Sequence, residues 1–229
     1  MKKITISLIA IILMSNLAFA QKKGTKTNTM KNEKDSLSYF LGNEVGNYYR
    51  TNNIDLDTDY FLQGVVDALN NVSKLDEEAK EKVMAMFQQQ QQKKANQQLE
   101  MTKELGRKFL EENKKNADVK TTASGLQYKV LKSSDGVSPN ASDKVKVHYH
   151  GTLIDGTVFD SSVERGETIT FGLNQVIRGW TEGLQLMKTG EKFVFYIPSE
   201  LGYGDRAAGA KIPGGSTLIF EVELFEVNP

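Results

Sequence analysis

The spacing of apolar positions divides the chain into two kinds of structure. From Lys34, residues Leu37, Phe40, Leu41, Val45, Tyr48 and Tyr49 recur at close to 3.6 positions, which predicts an amphipathic helix ended by Asn52-Asn53. A second helix is predicted after Asp57, a candidate N-cap, with Phe61, Leu62, Val65, Val66 and Leu69 inward and Asn70-Asn71 closing it. Asp76 caps a third, helped by Glu77 and Glu78 in its first turn, and only one Gly and no Pro interrupt the run to about Asn116. Its apolar residues gather at the ends, Val83, Met84, Met86 and Phe87 at one and Leu105, Phe109 and Leu110 at the other. Between them Gln88 to Gln98 is nearly all Gln, Lys and Asn, which reads as a solvated helical spacer, so that the whole third segment runs about 40 residues, or roughly 60 Å.

After Lys120 the period becomes two. Leu126, Tyr128 and Val130 alternate, as do Val145, Val147 and Tyr149, then Ile169 and Phe171, then Phe193, Phe195 and Ile197, and finally Leu218, Phe220, Val222 and Leu224. Asp155-Gly156 is a hairpin turn signal. An antiparallel sheet of about five or six strands is expected over residues 120–229. Within it, NQVIRGWTEGLQLMKTGEK (174–192) returns to helical spacing, placing Trp180, Leu184 and Met187 on one face, while Gly179 and Gly183 keep the backbone slim. This short helix is expected to lie across the sheet, and Trp180 to serve either as core filling or as the floor of an apolar pocket. The fold class is α+β.

The first twenty residues differ from the rest. Lys2 and Lys3 precede an apolar run from Ile4 to Leu13 and end in Ala18-Phe19-Ala20, the pattern of a secretory signal peptide with a mature chain from Gln21. Its removal takes away two lysines and leaves a net charge of −2, so nothing asks for nucleic acid, and no span is expected in the mature chain. With no cysteine, disulfides, thiolate metal sites and a lipidated N-terminal Cys are excluded. A periplasmic location is expected, with outer-membrane association as a further option. Residues 21–33 read as a flexible leader. The short helices before the spacer bury too little to stand alone, so a homodimer through residues 34–75 is expected, with a monomeric helical hairpin as the alternative. The connecting helix is assigned to 76–116.

VKVHYHGTL, DGTVFDSS, QVIRGWTEGLQLMKTGEK and LGYGDRAAGAKIPGGSTLIFEVEL occur in that order at tight spacing, and together they resemble the FKBP-type peptidyl-prolyl isomerases. The upstream KFLEENKKNADVKTTASGLQYKVL looks like the Mip/FkpA branch of secreted bacterial FKBPs, which carries a dimerising helical domain on a long helix. The resemblance implies peptidyl-prolyl cis-trans isomerase activity in residues 120–229 without any cofactor, on unfolded or proline-containing exported polypeptides, with macrolides as candidate inhibitors. It implies a pocket lined by Tyr149, Phe159, Val176, Ile177, Trp180, Tyr203 and Phe220, with Trp180 as the floor under the proline ring. The Ile177 N–H and the Tyr203 hydroxyl would hold substrate carbonyls, and Asp160 would stand beside the twisting amide, anchored by Tyr149 or Arg165. Arg165, Ile169 and Ile212 complete the substrate-binding set. A periplasmic holdase with secondary isomerase activity is the alternative function.

Three departures bear on specificity. Ile169 stands where many members carry a pocket Phe, Pro213-Gly214-Gly215 replaces a common Pro-Pro pair, and Lys211 occupies an often apolar position. On residue type alone, Asp160 also reads as a turn cap, Arg165 as a surface arginine, and Tyr149 and Phe220 as core. His148 and His150 share a strand face, with no third metal ligand in evidence, and should point away from the pocket that Tyr149 faces. No Ser/His/Asp triad is found, and the Gly-rich stretch 202–215 lacks a P-loop ending.

Overall fold

A computed structural model describes residues 29–229; the predicted signal peptide and most of the predicted leader lie outside the described residues. The chain forms two units, one ending at Glu81 and one running from Lys82 to Pro229. In the first, α1 (Glu33–Thr51) starts at Asn32, whose side chain accepts the Asp35 N–H, and α2 (Thr58–Leu69) starts at Asp57, which accepts from Asp59 and Tyr60. The N-cap oxygens satisfy N–H groups that have no partner one turn earlier. Both helices stop at Asn pairs, with Asn53 and Asn71 in the left-handed region that asparagine tolerates. Tyr49 meets Phe61 edge to face at 5.3 Å. Neither helix buries a single residue, and Leu37, Phe40, Leu41, Leu62, Val65 and Val66 remain exposed.

Helix α3 (Glu77–Asn113) is capped by Asp76, whose carboxylate accepts the Ala79 N–H at 2.8 Å, and it runs unbroken through the glutamine tract before stopping short of the expected Asn116. Glutamine and lysine are good helix formers, and i, i+3 pairs such as Arg107 with Glu104 support the solvated faces.

The second unit carries an antiparallel sheet of seven strands rather than the five or six expected: β1 (Val119–Thr121), β2 (Gln127–Lys132), β3 (Lys144–Leu153), β4 (Val158–Ser161), β5 (Ile169–Gly172), β6 (Lys192–Ile197) and β7 (Leu218–Val227). The order is β1-β2-β6-β7-β3-β4, and β5 pairs with the first half of β3 on the edge that β4 shares further along. The extra count comes from β1 and β4, of three and four residues, too short to show alternation. Asp155-Gly156 makes the β3–β4 hairpin: Gly156 sits at φ +86° and donates to the Leu153 carbonyl at 3.0 Å. A single helical turn, α4 (Ser162–Arg165) with Gly166 as its C-cap, follows β4.

The inward positions of β3, β6 and β7 form one core with Leu126, Leu173, Leu184 and Met187. Across it lies α5 (Arg178–Leu184), much shorter than the 174–192 stretch. Met187 is fully buried but follows the helix rather than belonging to it. The close approach depends on two glycines. A Cβ at Gly179 would press on Ile197, and one at Gly183 would meet the Phe195 ring at 2.7 Å.

Candidate functional site

One cavity of about 770 Å³ opens where α5, the β3–β4 edge, β5 and the loop before β7 converge. Its floor is aromatic. Trp180 lies 4.9 Å from Phe220 and 5.2 Å from Tyr149, both edge to face, and 5.1 Å from Phe171. Phe159 stands edge to face against Phe220 at 5.3 Å. Such pairs gain from ring quadrupoles as well as burial, so the cluster holds its shape without a ligand. The strand register explains the convergence: Gly151 of β3 faces Phe220 of β7, which faces Phe195 of β6, so the missing side chain at 151 leaves room for the Phe159 and Phe220 rings. Among the described residues, the Trp180 Nε1–H is the one buried side-chain polar atom without a hydrogen-bond partner.

The polar groups sit at one side and at the rim. Tyr149 donates its hydroxyl proton to the Asp160 carboxylate, and the Arg165 guanidinium donates to the other Asp160 oxygen and, at 2.9 Å, to the Tyr149 hydroxyl. Burial by itself pushes the Asp160 carboxyl up, but the hydrogen bonds from Tyr149 and Arg165 outweigh it and hold the group below the usual carboxylate range. Burial, then the bond to Asp160, pushes the Tyr149 phenol up. Arg165 is raised by the same two partners, Tyr149 first. At neutral pH the triangle is therefore a fixed carboxylate anchored by a neutral phenol and a guanidinium, with both carboxylate oxygens engaged. It has the character of an electrostatic fixture, not of a proton donor. At the rim, Tyr203 is 44% exposed. Ile177, the backbone N-cap of α5, points neither its N–H nor a capping side chain at any described residue.

Residues 136–225 match the family FKBP-type peptidyl-prolyl cis-trans isomerase, and residues 34–130 match the domain amino terminal to FKBP-type peptidyl-prolyl isomerase. The chain is 43% identical over 209 residues to the FKBP-type peptidyl-prolyl cis-trans isomerase FkpA of Aeromonas hydrophila, covering 86% of this chain and 78% of that protein. It is 36% identical over 233 residues to the outer membrane protein MIP of Legionella longbeachae, covering 100% of this chain and 98% of that protein. The crystal structure of FkpA from Escherichia coli superposes with a TM-score of 0.72 at 38% identity, over 88% of this chain and 99% of that one. The chain belongs to the FKBP-type peptidyl-prolyl cis-trans isomerases.

Ten of the eleven residues singled out from the isomerase's sequence line this one cavity: Tyr149, Phe159, Asp160, Ile169, Val176, Ile177, Trp180, Tyr203, Ile212 and Phe220. Arg165 does not line it and acts on Asp160 and Tyr149 from behind. The turn-capping alternative for Asp160 falls instead to its neighbour: Ser161 caps α4 by accepting the Glu164 N–H at 3.2 Å. His148 and His150 face away from the cavity, within 3.0 Å of the Ser162 and Ser161 hydroxyls respectively.

Phe171, Gln175 and the run Ala208-Gly209-Ala210 also line the cavity, and the sequence did not mark them for it. Phe171 supplies an aromatic contact to Trp180 two residues along from Ile169, so this side of the floor is not left aliphatic. Lys211, noted as a departure, lines the cavity and reaches across its mouth to donate to the Val158 carbonyl at 2.9 Å. The alanines carry little sequence signal, because a methyl side chain has no chemistry to mark it. Their position follows from an isolated bridge between Ala208 and Ile212 that pins the loop back on itself.

Proposed function

We propose that this isomerase binds an X–Pro segment of an exported, non-native polypeptide with the proline ring on Trp180, and lowers the rotation barrier by fitting the twisted amide better than the planar one. The barrier, near 18–20 kcal/mol, arises because the amide loses resonance as it turns. No bond is made or broken. As the bond twists, its nitrogen and carbonyl stop sharing charge, and an apolar, water-poor surrounding favours that form. A 10⁵-fold acceleration needs a preference of about 7 kcal/mol. The Ile177 N–H and the Tyr203 hydroxyl hold the flanking carbonyls, and Asp160, kept ionised by Tyr149 and Arg165, places a fixed charge beside the turning group.

The observation that carries this reading is the aromatic floor under two rim donors without partners among the described residues. Its test is acceleration of cis-trans conversion in a short proline peptide by the full chain. Tyr203→Phe and Phe159→Ala should lower kcat/KM with the circular dichroism spectrum unchanged. Unfolding of both variants would make those positions core instead of site.

The α1 and α2 faces support two finer statements. Their exposed apolar residues cannot form a core within so few residues, so a second copy of this chain covers them and the protein is a homodimer through its N-terminal helices. Light-scattering mass should fall to that of a monomer when residues 21–76 are removed. The same exposed surface favours a holdase activity alongside catalysis, with the signal peptide directing the protein to the periplasm. Full-length protein that protects an aggregating client no better than the shortened form would remove that second role.

A further inference from the structure

The final turns of α3 do more than enter the isomerase unit; they lie on the base of the loop that closes the pocket. Leu110 and Asn113 fix the helix end to the sheet, since the Gln127 amide donates to the Leu110 carbonyl and accepts from Asn113, both at 2.9 Å, with Gln127 almost fully buried. Phe109 rests 5.9 Å from Tyr196. Earlier in the helix, Gly106 is buried so closely against Thr217 that a Cβ there would collide with the threonine hydroxyl. Lys103 pairs with Asp205 at 2.7 Å. A Cβ on Gly215 would lie 2.8 Å from the Lys103 stem and 3.0 Å from Leu99.

Asp205 and Gly215 belong to the two stems of one loop, and Thr217 follows the second. Gly215 donates to the Gly204 carbonyl at 2.8 Å, and a Cβ on Gly214 would collide with the Asp205 carbonyl, so the stems at 204–205 and 213–215 are stacked on each other. Tyr203 precedes one stem and Ile212 precedes the other, and the segment between them supplies Ala208 to Ile212 to the pocket wall. The loop has no strand of its own, only the Ala208–Ile212 bridge. Its base therefore depends on what it is packed against, and that is α3.

We propose that Leu99, Lys103 and Gly106 of α3 are positioning residues for the pocket loop, holding its stems so that Tyr203 and Ile212 stand in their binding positions. The proposal rests on this cavity being the isomerase site. When the stems are released, a smaller fraction of molecules has a competent loop, and apparent substrate affinity falls by that fraction.

The test uses the full-length chain carrying Leu99→Ala with Lys103→Met, a pair that leaves the sheet, the aromatic floor and the Gln127 anchor untouched. KM for a proline tetrapeptide should rise about fivefold with kcat nearly unchanged. Amide exchange at Ala208 and Gly215 should become about tenfold faster, while the β3–β7 ladder keeps its protection. In the charge exchange Lys103→Asp with Asp205→Lys, KM should return toward that of the unaltered chain from the higher value of either single change. Unaltered KM and unaltered loop exchange in the folded double variant would overturn the proposal, as would kcat, KM and ladder protection all deteriorating together. An unmodified chain that fails to accelerate isomerisation would sink the reading of the cavity instead, and the exchange measurement would still decide whether α3 holds the loop.

Discussion

Tyr149 donates its hydroxyl proton to Asp160, eleven residues away on the paired strand, and this bond joins the pocket wall to its charge. Tyr149→Phe keeps the ring against Trp180 and removes the hydroxyl that donates to Asp160 and accepts from Arg165. The Asp160 carboxyl should then titrate higher, readable by carbon NMR, and kcat/KM should fall about fivefold, the equivalent of about 1 kcal/mol for one hydrogen bond.

The same triangle gives a pH signature for stability. The ordinary carboxyl value is 3.8, and in the folded chain the group lies lower. Above the ordinary value both folded and unfolded chains are ionised, and the folded one gains from its donors. As the pH drops toward the folded value, the unfolded chain takes up its proton first and the advantage drains away. The difference in unfolding free energy between the natural chain and Asp160→Asn should be level from about pH 5 to pH 8 and shrink steadily as the pH falls through 3.8 and below, measured by urea denaturation. A difference that grew in acid would contradict the anchored carboxylate.

Trp180 combines heavy ring packing with an unpartnered buried donor. Trp180→Leu loses area but also removes that donor, so the unfolding free energy should fall by only about 1–2 kcal/mol. Affinity for a proline peptide should fall about tenfold, the larger effect. As the only tryptophan, Trp180 also reports ligand entry through its own fluorescence.

Gly151 faces both Phe159 and Phe220, whose ring atoms lie 2.7 and 2.8 Å from where a Cβ at this position would stand. Gly151→Ala should displace these rings into the cavity and lower turnover, at a stability cost of about 1–3 kcal/mol seen as a drop in Tm.

On α1, Phe40 is an exposed apolar residue that a second copy is proposed to cover. Phe40→Asp should shift the sedimentation equilibrium toward monomer while tetrapeptide isomerisation continues unchanged.

Most of this architecture is readable from periodicity, because half-buried strands and helices must alternate their polarity. The exceptions have physical reasons. Met187 keeps helical spacing from Trp180 and Leu184, but the helix ends at Leu184 and a turn carries Met187 to the same core. Val119–Thr121 is too short for a pattern and pairs only because β2 offers an open edge. For the site, the aromatic residues were legible because the resemblance marks them. Ala208 and Ala210 were not, since small side chains leave no chemical imprint. Arg165 was legible only as a choice between surface and anchor, and it donates to both Asp160 and Tyr149.

The β3–β7 ladder pairs Val145 with Val227 and Gly151 with Phe220, so the pocket is assembled from strands far apart in the sequence. Such distant pairings form late and together, on a timescale of milliseconds to seconds. Until Leu218–Val227 has been synthesised, Trp180 and Tyr149 have no Phe220 to meet, and a nascent chain can hold every other part of the fold's sequence yet have no site. The site is therefore complete only once β7 has paired with β3, and no shorter stretch of the isomerase unit carries it.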